Sequence, residues 1–149
     1  MLDPQLIAAK WYVGKLSGEE MPGIACQALE SGHDGKCLLY LAGLTRPARR
    51  DITETVDGAM RELGVRAPIA KSDAALWMAN RVAGKIIEGR IEPYGGACHI
   101  WLSYSPAAHE LEHWSDLAID YEVAVETGGI EKVKQQVIQA ARSLLTGAK

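Results

Sequence analysis

An all-α fold, a compact bundle or orthogonal array of about eight helices in one domain spanning residues 1–149, is what the sequence predicts. Three observations predict it. Apolar residues recur at helical spacing through most of the 149 residues. The segments that carry this period are bracketed by helix-starting and helix-stopping residues. Alternating, strand-like patterns are scarce.

The first element begins where Asp3 caps a helix with Pro4 at its first position, running through Leu6, Ile7, Trp11 and Val13 to about Leu16. Ser17 and Glu20 have capping-box spacing and open a second helix through Ile24, Ala28 and Leu29. Gly32 and Gly35 bracket a break. The apolar run Lys36 to Leu44 fits a helix or a buried strand by length, and its helical neighbours favour a helix. Asp51 to Leu63 is amphipathic, with Ile52, Val56, Ala59, Met60 and Leu63 on one stripe and Gly64 as its stop.

Val65 to Lys71, containing Pro68, is the long connection of the chain. Ser72 or Asp73 caps the next helix, which turns Leu76, Ala79, Val82, Ala83, Ile86 and Ile87 inward and stops at Gly89. Pro93 starts another, with Tyr94, Ala97 and Trp101 on one side. Gly95 and Gly96 weaken it by roughly 1 kcal/mol each, or let two backbones approach closely. A small hairpin including His99 to Tyr104 is the main competing arrangement. A helix from Pro106 to about Glu126 follows, broken by Gly128-Gly129, and Ile130 to Leu145 forms the last, ending at Gly147.

Composition narrows the function classes. The net charge of -3 offers no global field to attract nucleic acid or an anionic membrane. No apolar run reaches the length of a membrane span, and the N-terminus lacks the pattern of a secretory signal. Cys26, Cys37 and Cys98 form an odd, sparse set without a CxxC pair, which fits reduced thiols in a cytoplasm. Phe is absent, so four Trp and five Tyr supply the aromatic packing. Arg46, Arg49 and Arg50 cluster around Pro47 and read as a solvated connection.

The sharpest chemical signal is His109-Glu110-Leu111-Glu112-His113. On a helix this H-E-x-x-H spacing puts two imidazoles on one face, able to hold Zn2+ while Glu110 acts as general base on its water. A catalytic zinc needs a third ligand, for which Glu126, Glu122 or His99 is available. The helical phase sets Leu111, Trp114, Ala118, Tyr121 and Val125 toward the core. His109 and His113 lie across from them with Glu112, Asp116 and Asp120, so the same face also reads as a solvated acidic ladder. His33 with Cys37 and Cys26, and Cys98 with His99, are weaker metal or nucleophile pairings. Gly95-Gly96 lacks the Lys-Ser/Thr of a phosphate loop. The Glu62-Leu63-Gly64-Val65 turn lacks a basic recognition helix for DNA.

The stretch from Ile86 to Trp101 carries Gly89, Pro93-Tyr94, Gly96-Ala97 and Ile100-Trp101, followed by Leu111 and Trp114. It resembles a segment of small uncharacterised bacterial helical proteins, over roughly residues 73–125. That resemblance implies a helical fold and a bacterial cytoplasmic origin, and it implies no mechanism. The family pattern does not require histidines at 109 and 113.

Two function classes follow. The first is a non-enzymatic protein-interaction module, an immunity or accessory-type protein with an unidentified protein partner and no cofactor. Glu112, Asp116 and Asp120 are its candidate partner-binding residues. The second is a zinc-dependent hydrolase, with Glu110 catalytic and His109, His113 and Glu126 as metal ligands. Regulatory nucleic-acid binding is a weaker third.

Overall fold

The computed structural model describes residues 2–147 and contains eight α-helices and no strand among them. The chain packs into two compact units, Met1–Ala70 and Lys71–Lys149. The boundary falls at the end of the connection that carries Pro68.

The first unit holds α1 (Pro4–Tyr12), α2 (Met21–Glu30), α3 (Lys36–Ala42) and α4 (Arg49–Glu62). Asp3 caps α1 as its sequence predicts, its carboxylate accepting from the Leu6 N–H at 3.2 Å, with Pro4 in the first turn. The helix stops at Tyr12, short of Leu16. Ser17 and Glu20 do form a reciprocal start, the Ser17 N–H donating to Glu20 Oε2 at 2.7 Å. That start opens a single 3-10 turn, Gly18–Glu20, which runs on into α2.

The core of this unit centres on Trp11, Met21, Leu38, Leu41, Ile52, Val56 and Met60, all essentially buried. Arg49, the first residue of α4, belongs to that construction rather than to a solvated loop. Its guanidinium lies 3.6 Å from the Trp11 ring centroid and donates to the carbonyls of Leu16 at 2.9 Å and Trp11 at 2.5 Å. Arg50, beside it, is exposed.

The α3 N-terminus has no capping side chain of its own, because Gly35 stands at the cap. Glu62, the last residue of α4, supplies one from across the unit. Its two carboxylate oxygens accept from the Cys37 and Leu38 N–H groups, each at 2.9 Å. A negative charge at the first turn answers both the unpaired donors and the helix dipole. Gly35 is required for the approach, since a Cβ there would stand 2.0 Å from the Glu62 carboxyl carbon. Burial, reinforced by Glu62, pushes the Cys37 thiol above its ordinary pKa.

The second unit holds α5 (Lys71–Ile87), α6 (Pro93–His99), α7 (Trp114–Thr127) and α8 (Ile130–Leu145). The buried face of α5 is rich in alanine (Ala74, Ala75, Ala79, Ala83), and α8 packs against it with Val133, Val137 and Ala141 inward. Small side chains on the buried face of α5 suit close packing between helices. Helix α5 starts at Lys71, one residue before the expected Ser72 cap. Gly96 admits the Ile86 side chain at a distance no Cβ would allow, whereas Gly95 faces open space. The close-approach alternative therefore holds for one glycine of the pair.

The competing hairpin does not form: Ile100–Tyr104 continues α6 as a π-helical turn, and the Ser105 N–H reaches back five residues to the Ile100 carbonyl at 3.0 Å. Gly128 ends α7 with a left-handed φ of 91°, the conformation that favours glycine at a helix stop.

Candidate functional site

The predicted helix from Pro106 is interrupted over the segment that carries the histidines. Ala108 is extended (φ -138°, ψ 109°), His109–Leu111 forms a 3-10 turn, and α7 starts only at Trp114. The bonds Leu111 N–H to Ala108 and Glu112 N–H to His109, at 3.0 and 3.1 Å, both span three residues. At three residues per turn, positions i and i+3 eclipse one another. Leu111 and Trp114 thereby turn inward together and are fully buried.

The same winding undoes the expected geometry of the metal ligands. It aligns His109 with Glu112 rather than with His113. The His109 Nδ1 atom sits 3.0 Å from Glu112 Oε1 on an exposed surface. His113 occupies the residue before α7 and tilts against Trp114, ring centroids 5.7 Å apart. Glu110 is exposed on the 3-10 turn. Glu126 is thirteen residues beyond His113 on α7, which at 1.5 Å rise per residue is about 20 Å along the axis. It cannot share an ion with His113, since zinc–ligand bonds are about 2 Å long.

Glu122 accepts a hydrogen bond from the Tyr94 hydroxyl at 2.6 Å, and His99 Nε2 lies 3.1 Å from the Tyr104 hydroxyl. Among the described residues, no three His, Cys, Asp or Glu side chains converge as a metal-ligand group. The three cysteines are free, and Cys26 alone is exposed.

What the second unit does present is a long stretch of sequence with charge of one sign. No Lys or Arg occurs between Arg90 and Lys132, while Glu92, Glu110, Glu112, Asp116, Asp120, Glu122, Glu126 and Glu131 all do. Helix α7 lies inside that stretch. Asp116 and Asp120 are exposed one turn apart on it, as the ladder reading expected, whereas Glu112 stands before the helix and is paired with His109.

Between the carboxylates α7 exposes two large apolar side chains, Ile119 (48%) and Val123 (54%), also one turn apart. The core stripe is Trp114, Ala118, Tyr121 and Ala124; Val125, expected inward, is 60% exposed and the smaller Ala124 is buried instead.

Tyr94 holds this face in place from α6. Its ring lies tilted at 32° to that of Tyr121 with centroids 4.9 Å apart, and its bond to Glu122 raises the phenol pKa, with the Cys98 thiol a second contributor. The local sequence signal for this surface is the long interval without a cation, a charge pattern rather than a motif. Comparison with protein-family models, with curated proteins and with solved structures returns no match.

Proposed function

We propose that the chain is a non-enzymatic protein-interaction module, an immunity or accessory-type protein that engages a basic partner through the acidic face of its second unit. The observation that carries this reading is the uncompensated charge of α7. The helix bears Asp116, Asp120, Glu122 and Glu126 and no Lys or Arg. Asp116, Asp120 and Glu126 meet no cation among the described residues. A field of one sign accelerates encounter with an oppositely charged partner and disfavours nucleic acid and anionic lipid.

The resemblance of residues 86–101 to small bacterial helical proteins and the free cysteines support a bacterial cytoplasmic setting. No helix of the described residues is long and apolar enough to cross a membrane.

Charge reversal tests the assignment. With Glu112→Lys, Asp116→Lys and Asp120→Lys combined, a basic protein captured by the wild type from a bacterial lysate is expected to be lost, as read by mass spectrometry. Retention of every captured partner by the triple variant would sink the surface assignment.

The zinc-hydrolase alternative keeps the His109-Glu110-x-x-His113 spacing as its support. Its expected result under our reading is sub-stoichiometric zinc after gentle purification, unchanged by His113→Ala. Stoichiometric zinc that disappears in that variant would reinstate a metal centre at His113.

A further inference from the structure

The exposed face of α7 is organised in three rails, each a pair of residues one helical turn apart. At 100° per residue, Ile119 and Val123 occupy the middle. Asp116 and Asp120 run along one flank, and Glu122 and Glu126 along the other. The apolar pair is half-exposed, with acid on both sides and no cation anywhere on the helix.

We propose that these rails dock a basic amphipathic helix of a partner protein. This inference rests on the reading of the second unit as a module for a basic partner, and it specifies that partner's shape. The partner helix lays its own i, i+4 apolar pair on Ile119 and Val123 and places Lys or Arg against both acidic flanks.

Charge decides between the possible occupants. Two copies of this chain meeting through the same face would oppose carboxylates to carboxylates, which is repulsive at close range. An anionic lipid surface or a nucleic acid backbone meets the same repulsion. An uncharged apolar helix would desolvate the flanking carboxylates without compensation. A basic helix covers the apolar rail and neutralises the flanks in one geometry, the helix-on-helix mode of peptide recognition. Glu122 is already oriented for this role, because the Tyr94 hydroxyl holds one of its oxygens.

The test uses the full chain and two labelled synthetic peptides of identical Leu/Lys composition. One has its leucines in helical period; the other is scrambled. Binding is followed by fluorescence anisotropy at two salt concentrations. The helical peptide is expected to bind about tenfold more tightly than the scrambled one, and Ile119→Ala with Val123→Ala removes that advantage, the size of effect a lost apolar pair gives.

Ala is the best helix former, so the double variant keeps α7 intact. The binding of both peptides weakens as salt rises. Equal affinity for the two peptides, or an unaltered advantage in the Ala variant, overturns the docking proposal. If Asp116→Lys with Asp120→Lys still abolishes binding in that case, the acidic-surface function stands without it. Concentration-dependent dimers that vanish in the Ala variant make the occupant a second copy and overturn the proposal as well.

Discussion

Trp11→Ala lowers the stability of the first unit by about 3–5 kcal/mol, the range for deleting a buried large aromatic. The side chain is 1% exposed and is among the largest buried groups of that unit. Its loss opens a cavity in the core of the first unit, and it removes the ring from beneath the Arg49 guanidinium. The cation remains bonded to the carbonyls of Leu16 and Trp11, so it stays half-buried without its aromatic platform. Burial already presses the Arg49 pKa downward, which reports the desolvation that the ring and the carbonyls offset.

A double-mutant cycle with Arg49→Ala isolates the ring-face contribution, because the carbonyl acceptors survive in both backgrounds. A coupling of about 0.5–2 kcal/mol is expected in urea unfolding followed by far-UV circular dichroism. Additive effects would show that Arg49 contributes only through its hydrogen bonds.

Arg49 also marks where local sequence reasoning stops. Its neighbours Arg46, Pro47 and Arg50 describe a polar connection, and nothing within a helical turn indicates that Trp11, 38 positions upstream, lies under its guanidinium. Glu62 is the same case. A carboxylate at the end of one helix caps the start of another 24 and 25 residues earlier, a pairing that only the tertiary fold creates. By contrast, the helix starts at Asp3-Pro4 and Pro93 and the stops at Gly64, Gly89 and Gly128 depend on local backbone chemistry. They were legible for that reason.

The His-Glu-His segment departs from the helix its spacing predicts in its winding. Leu111 and Trp114 are three apart, a spacing that suits a 3-10 turn as well as an α-helix, and only the second places His109 over His113. Val125 falls on the stripe of Trp114, Ala118 and Tyr121 by helical phase, yet near the end of α7 it is exposed while Ala124 is buried. The acidic half of the interaction surface was partly visible as the Asp116–Asp120 ladder. Its apolar rail was not, because Ile119 and Val123 look like core residues until the helix is seen to bury the opposite side.

Two glycines five positions apart should respond to alanine with opposite sign. Gly18 sits in the 3-10 turn before α2, where a Cβ would stand 2.4 Å from the Pro47 carbonyl oxygen, 2.7 Å from the Arg49 nitrogen and 2.9 Å from the Ala48 carbonyl carbon. All three are backbone atoms and cannot rotate aside, so Gly18→Ala is expected to cost about 1–3 kcal/mol through displaced main chain. Gly23 lies in the first turn of α2, is exposed, and has nothing within 4 Å of its Cβ position. Gly23→Ala is expected to stabilise by about 0.5–1 kcal/mol, because alanine loses less backbone freedom on folding. Urea midpoints of the two variants against wild type decide the matter, and shifts in the same direction would refute the close approach at Gly18. The segment that Gly18 touches is also the one that launches α4 and aims Arg49 at Trp11. In a Gly18→Ala background the Trp11–Arg49 coupling should therefore shrink, whereas in a Gly23→Ala background it should keep its full value.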